Sequence, residues 1–418
     1  MAGTDAISHH AALDARMARA AKGIRLLSYA SWPASERDMF LAAYARGQAQ
    51  LPAYDYPKRD FSAARREFDA IIAAADPEHP LGQYLLESAR DWDLAAQLLE
   101  CLGSPKVAEL SQSLFGGPDR VLPGGATTRE AANHFISVAD EMDRELLAPS
   151  EQVEISATAL VLQLQARLDD FFDGRVITVE RDPDLIAKAA AGATRIRVRT
   201  GAAFSDYDLQ QLLQHEAFVH SLTALNGQQQ TVLPSLALSS PRTTATQEGL
   251  AVFAEQITGS IDIERMKRVS LRIEAVAMAQ EGADFMAVFR YFLDAGQTEV
   301  ESFTSAQRVF RGVPTSGGYA FTKDTVYLRG LIGVHTFFRW ALKNGKLRLC
   351  RMLFAGKMTL ADVQRFAPLF GEGGLAEPRW LPEWVARANG LAGALAFSLF
   401  ANRIRLDQVM AMDSVTDI

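Results

Sequence analysis

Two histidines stand close together in residues 214–220, whose sequence is QHEAFVH. The pattern is HExxxH, one residue longer than HExxH, in which two histidines share a helix face and bind zinc. On a regular α-helix, the side chains of His215 and His220 would diverge by about 140°. A local widening into a π-helix, a feature found mostly at functional sites, would bring them together. The alternative is two ordinary histidines on a regular helix.

A catalytic zinc site needs a third nitrogen or oxygen ligand besides the two histidines. Glu248 is the candidate, in the segment QEGLAVFAE that begins at Gln247, and Gly249 would allow close helix packing. Glu255, two turns later on the same face, is the reserve ligand or a residue that orients one. The alternative for Glu248 is an acidic residue favoured in a first helical turn by the helix dipole. Thr244 and Gln247 also fit a capping box, which predicts a helix start there.

Several segments together resemble a known family, the QEGLA-motif proteins. They are HExxxH, TALNG at 223–227, QEGLA, RVFRG at 308–312, the segment 318–330 and YDYP at 54–57, so the resemblance covers most of residues 50–390. Bacterial members are labelled flavohemoglobin expression-modulating, and animal relatives are the microtubule-associated tyrosine carboxypeptidases, zinc enzymes that remove the C-terminal tyrosine of α-tubulin. The resemblance implies that His215, His220 and Glu248 bind Zn²⁺ and that Glu216 is the catalytic base. The substrate is left open.

The implied chemistry is hydrolysis of an amide bond. Glu216 takes a proton from the zinc-activated water and returns it to the leaving amine. Tyr327 is the candidate second donor to the oxyanion, with Lys323 behind it, and the alternative is a tyrosine packed in the core. A carboxypeptidase also binds a free α-carboxylate, for which a planar arginine is well suited. Arg311 is the first choice and Arg308 the second, against the alternative of a surface arginine.

Hydrophobic periodicity predicts the elements that position these residues. Helices are predicted at 9–31, 34–49, 61–76, 83–102, 128–147, 151–172, 206–220, 261–282, 285–294 and 325–343, with a further helix beginning near residue 247. The expected fold is α+β and mostly helical, with a metallopeptidase-like body of a small β-sheet, the HExxxH helix and the QEGLA helix. Residues 1–150 are predicted to form a helical region packed on the catalytic region 151–408, and residues 409–418 a loose tail.

Strands are predicted at residues 175–179 and 195–199. The second, RIRVR, alternates strictly, so Ile196 and Val198 face one side and the arginines the other. An edge strand near the zinc helix would receive an extended peptide by strand addition, and an arginine face would favour acidic peptides. The alternative, which we favour for the arginines, is that charges on an edge strand prevent aggregation.

Composition excludes several classes of protein. The chain has 418 residues, of which 48% are hydrophobic and 22% charged, which is ordinary for a globular protein. The net charge of −7 excludes a general nucleic-acid binder. The basic residues Arg265, Lys267, Arg268 and Arg272 occur together with Glu264 and Glu274, which favours a solvated helix face. Two cysteines provide no disulfide framework. We expect no membrane segment, no export signal and a cytoplasmic location.

These observations predict a zinc-dependent metallopeptidase, of carboxypeptidase type by resemblance, that acts at or near the C-terminus of a peptide or protein. One alternative is a non-catalytic regulatory protein that uses the same fold to bind a partner and affect gene expression. Another is an amidase for small non-peptide amides. Glu216 favours an enzyme, because a protein that only binds needs no glutamate beside the first ligand. The oligomeric state is not indicated.

Overall fold

Helices make up most of the protein in the computed structural model, which describes residues 2–142, 154–183, 185, 188–371 and 374–402. The N-terminal helices are α1 (Ala2–Ala21), α2 (Leu26–Ala30), α3 (Ala34–Tyr44), α4 (Ser62–Ala74), α5 (Pro80–Glu100), α6 (Lys106–Phe115) and α7 (Thr128–Glu141). Pro80 begins α5, where its missing N–H would have no partner in any case. Thr127 and Glu130 form a capping box at the start of α7. Helix α6 was not predicted.

The later helices surround the predicted HExxxH and QEGLA segments. They are α8 (Ala157–Phe172), α9 (Asp206–Leu212), a π-helix (Leu213–Ser221), α10 (Leu222–Gly227), α11 (Thr244–Ile257), α12 (Ile263–Gln280), α13 (Phe285–Asp294), α14 (Glu299–Val309), α15 (Val326–Lys343), α16 (Arg348–Met352), α17 (Leu360–Arg365), α18 (Glu383–Ala386) and α19 (Ala388–Ala401). Short 3₁₀ turns cover Pro234–Ala237, Thr322–Thr325 and Ala367–Leu369. The prediction of a mostly helical chain with a small β component is confirmed.

The strands form two small sheets. They are β1 (Ile155–Ser156), β2 (Thr178–Asp182), β3 (Ala189–Ala191), β4 (Arg195–Arg199) and β5 (Ala203–Phe204). Strands β1 and β5 pair antiparallel, and the other sheet has the order β2-β4-β3, with β4 parallel to β2 and antiparallel to β3.

The expectation that RIRVR is an edge strand is wrong, because β4 is central. Ile196 and Val198 are buried as the alternation predicts. Carboxylates on the neighbouring β2 offset the arginine face: Arg195 pairs with Glu180 at 3.3 Å and Arg197 with Asp182 at 2.8 Å. Among the described strands, the edges of this sheet are β2 and β3.

Helix α11 lies between the π-helix and α15 and contacts both. Its contact with α15 is made backbone to backbone at two glycines. A Cβ atom on Gly249 would lie 2.1 Å from the carbonyl carbon of Gly330, and one on Gly330 would lie 2.1 Å from the carbonyl oxygen of Ala245. Only glycine fits at both positions. The close helix packing expected at Gly249 is therefore present.

One continuous hydrophobic cluster includes residues from the N-terminal helices and from the helices around the π-helix. The boundary near residue 150 and the tail at 409–418 lie outside the described residues. Within the part of the chain that the structure describes, no helix is both long enough and apolar enough to cross a membrane.

Candidate metal centre

The HExxxH segment lies on a π-helix that joins α9 to α10 without a break. Ser205 and Asp208 form the capping box that begins this long helix. The wider π turn brings the two histidine rings together, with 4.8 Å between the centroids of His215 and His220. The five-residue spacing is thus accommodated by the backbone, and the alternative of a regular α-helix is wrong for this segment.

Glu248 lies beyond the first turn of α11, since this helix begins at Thr244. The predicted capping box is wrong: the N-cap residue is Thr243, and it makes no side-chain cap hydrogen bond. Gln247 instead accepts a hydrogen bond of 2.9 Å from Thr223 on α10. Because Glu248 is not in the first turn, the helix-dipole alternative does not apply to it. Gln247 connects the QEGLA helix to the helix that carries the histidines.

Glu248 faces both histidines through one carboxylate oxygen. Its Oε2 lies 3.6 Å from Nε2 of His215 and 3.7 Å from Nε2 of His220. One candidate ligand atom from each residue lies within 4.8 Å of the others. Ligands about 2.0–2.1 Å from a tetrahedral zinc would be separated by about 3.3 Å, so the three side chains would draw closer together around a bound ion. Two imidazoles and a carboxylate are a donor set that suits zinc.

Glu255 orients the first histidine. Its Oε1 lies 2.6 Å from Nδ1 of His215, and Arg265 donates to its Oε2 at 3.3 Å. Burial raises the pKa of Glu255, but Arg265 and His215 outweigh it and lower the value to about 2. Because this carboxylate is ionised, Nδ1 of His215 carries the proton, and Nε2 is left to face Glu248. A carboxylate in this position typically fixes the orientation of a metal-binding histidine.

Lys323 holds the other oxygen of Glu248. Its Nζ donates to Oε1 of Glu248 at 2.6 Å and to the hydroxyl of Tyr327 at 3.0 Å. Burial opposes ionisation of Glu248, yet the charge of Lys323 and the two neighbouring histidines hold its pKa well below the usual range. Glu248 is therefore ionised, with one oxygen free for a metal. Lys323 lies behind Tyr327, as the sequence analysis expected.

The two predicted arginines differ in position. Arg308 lines the cleft above the metal centre and donates to Asp324 through Nε at 2.5 Å and Nη2 at 2.7 Å. Its Nη2 also lies 3.4 Å from the hydroxyl of Tyr327. Arg311 is half-buried and does not line this cleft. The structure thus places Arg308, and not Arg311, in the wall of the cleft.

The cleft has a volume of about 940 Å³, and His215, Glu216 and Tyr327 lie in its wall. Arg265 and Arg272 on α12 also line it. The interpretation of the basic run as a solvated face is therefore wrong for these two arginines. They are seven residues apart and so share one helix face. This spacing could have separated them from the other basic residues of the run.

Lys357 is a further group that the sequence analysis did not single out. It is buried, and its Nζ donates to Oγ of Ser239 at 2.7 Å. Burial lowers its pKa to about 8, against the opposing influence of the carboxylates of Glu216 and Glu248. The metal centre therefore has a buried lysine on Glu248 and a second one within electrostatic range.

Two histidines on one helix, a glutamate on the next and a second glutamate beside the first histidine are the arrangement of a metallopeptidase-class protein. Residues 39–403 match the family described as MATCAP, microtubule-associated tyrosine carboxypeptidase. The chain belongs to this family and is a carboxypeptidase-like enzyme. The family resemblance read from the sequence is thereby confirmed, while membership of the QEGLA-motif subgroup stays a prediction.

No curated protein matches the chain. Among solved structures, the chain is similar to metallocarboxypeptidase 1 of Trypanosoma cruzi, with 14% sequence identity over 96% of this chain and 99% of that chain and a TM-score of 0.37.

Proposed function

We propose that the protein is a zinc-dependent carboxypeptidase that removes residues at or near the C-terminus of a peptide or protein. The observation that carries the proposal is the meeting of His215, His220 and Glu248. His215 also lies in the wall of a cleft, together with Glu216. Cytoplasmic location, the boundary near residue 150 and the absence of nucleic-acid and membrane partners stay predictions.

His215, His220 and Glu248 would hold the zinc ion. When bound, zinc makes a water molecule more acidic and polarises the scissile carbonyl group. Glu216 accepts a proton from the attacking water and returns it to the leaving amine. Tyr327 donates a hydrogen bond to the developing oxyanion. Lys323 and Arg308 both donate to the oxygen of Tyr327, which orients its O–H away from them.

Strand β3 is placed to bind the peptide backbone. No described strand pairs with its outer edge, and Ala189 lines the cleft. The hydroxyl of Ser221, next to His220, donates to the carbonyl oxygen of Gly192 at 2.6 Å, which ties this edge to the π-helix. We therefore assign to β3 the strand addition that the sequence analysis assigned to RIRVR.

The test measures zinc per chain and C-terminal hydrolysis together. Wild-type protein is expected to hold one zinc per chain and to shorten peptides from a library, with the products read by mass spectrometry. Glu216→Gln is expected to keep the zinc and lose about 10²–10⁴-fold in kcat. His220→Ala is expected to lose both.

Protein that takes up no zinc would contradict the proposal. A second contradictory outcome has two parts. The zinc-loaded wild type cleaves no peptide, and the Glu216→Gln variant retains every biological effect of the wild type. That outcome would favour the non-catalytic regulatory protein. Cleavage of small amides without cleavage of peptides would favour the amidase.

A further inference from the structure

We propose that Arg272 binds the terminal carboxylate of the substrate, an inference that rests on the proposed carboxypeptidase function. Arg272 lies on α12 and lines the same cleft as His215, Glu216 and Tyr327. The sequence indicated two other arginines for this role. Arg311 does not line the cleft, and the guanidinium group of Arg308 is already paired with Asp324.

Arg272 has no direct ion-pair partner in the part of the chain that the structure describes, and Asp324 interacts with it only at longer range. It makes no hydrogen bond or salt bridge with any described residue, and its Nε is fully buried without a hydrogen-bond partner. Burial and the neighbouring Arg308 lower its pKa to about 10, which means that its surroundings disfavour the charged form. A buried guanidinium that faces a cleft is stabilised when a carboxylate binds it through two parallel hydrogen bonds.

Three carboxylates around this site are already engaged. Asp324 accepts both of its close hydrogen bonds from Arg308. Glu255 accepts from His215 and Arg265. Glu248 is bound by Lys323.

The anion that pairs with Arg272 must therefore come from outside this set. A peptide whose scissile carbonyl lies at the metal centre would bring its terminal carboxylate into this cleft.

The excess of arginines over carboxylates in this region supports the same conclusion. Arg272, Arg308 and Arg311 interact electrostatically around the single carboxylate of Asp324. The group carries an excess of positive charge beside the hydroxyl of Tyr327. Water would solvate these positive charges if the side chains were exposed. Arg308 is largely buried, however, and Arg272 is half-buried. Such a group has higher affinity for a carboxylate than for a neutral amide.

The experiment compares binding of two matched peptide libraries, one with free C-terminal carboxylates and one with C-terminal amides. The protein is zinc-loaded full-length Glu216→Gln, which does not consume the ligand. Affinity selection with mass spectrometry measures the enrichment of acids over amides. We expect about 10–100-fold enrichment, the range for a hydrogen bond to a charged group. Adding Arg272→Gln is expected to remove it, and Arg272→Lys to restore only part.

Arg268→Gln is the matched control, because Arg268 is an exposed arginine on the same helix and in the same cleft. It is expected to keep the full preference for acids. The inference is overturned if acid enrichment survives Arg272→Gln, or if the protein with Arg272 intact shows none. If Arg272→Gln does not fold, the partial loss expected for Arg272→Lys decides the matter. Acid-selective binding by a wild type that cleaves no peptide would uphold this site and defeat the proposed function.

Discussion

Gly249 and Gly330 meet so closely that neither position has room for a side chain. The contact fixes the distance between α11 and α15. Glu248 and Lys323 belong to the two sides of this contact, since Lys323 lies in the turn that leads into α15 and bonds Glu248 at 2.6 Å. The packing of two helices therefore determines where the third metal ligand lies.

Gly330→Ala is expected to lower the free energy of unfolding by about 1–3 kcal/mol, because its Cβ would strike the carbonyl oxygen of Ala245. It is also expected to weaken zinc binding, since α11 must shift. Gly333→Ala is the control on the same helix, because its Cβ would meet only Leu360 at 3.7 Å. Urea unfolding and zinc titration check both. Equal stability of the two variants would contradict the prediction.

Glu255→Gln is expected to lower zinc affinity about 10–100-fold, because a neutral amide holds the Nδ1 proton of His215 less firmly than the carboxylate does. Competition with a chelator measures the affinity. Glu264→Gln, an exposed acidic position just before Arg265, is the control and is expected to bind zinc like the wild type. Unchanged affinity in Glu255→Gln would show that Glu255 does not support the metal centre.

Tyr327→Phe is expected to lower kcat about 10–100-fold with little change in KM, since the hydroxyl is required only as the oxyanion develops. Zinc content should be unchanged, because Lys323 still bonds Glu248. Steady-state kinetics on a cleaved peptide checks the prediction. A change in KM alone would instead make Tyr327 a substrate-binding residue. A kcat equal to that of the wild type would leave it as a core residue.

Asp14 is expected to make stability depend on pH. Its buried carboxylate accepts hydrogen bonds from the backbone N–H of Ser235 at 2.8 Å and from its hydroxyl at 2.5 Å. Burial raises the pKa of Asp14 to about 7, although Ser235 opposes the shift. The folded state thus keeps a proton that the unfolded state loses near pH 4. The stability that this proton provides is complete below pH 4 and is lost as the pH rises toward 7.

Relative to Asp14→Asn, wild type is therefore expected to lose on the order of 4 kcal/mol of unfolding free energy between pH 4 and pH 7. Chemical denaturation at a series of pH values measures the difference. Asp38→Asn, at a position whose side chain is 65% exposed, is the control. A constant difference between wild type and Asp14→Asn across this range would refute the prediction.

Short-range features of the fold were predictable because they depend on neighbours in the chain. Apolar periodicity placed most of the helices, and the alternation of RIRVR predicted the buried faces of Ile196 and Val198. Helix α14 was missed together with α6. The start of α11 was predicted three residues late, because Thr243 begins the helix without the side-chain hydrogen bond that a capping box requires.

By itself, the sequence determined the candidate ligands, the candidate base and the need for a widened helix, since two short motifs contain all of them. Only the tertiary structure decided which charges meet. Lys323 and Glu248 are 75 residues apart, and the positions of Arg308, Arg311 and Arg272 depend on how α12, α14 and α15 pack. Contacts between distant segments depend on how the whole core packs. A pattern that spans only a few residues cannot predict them.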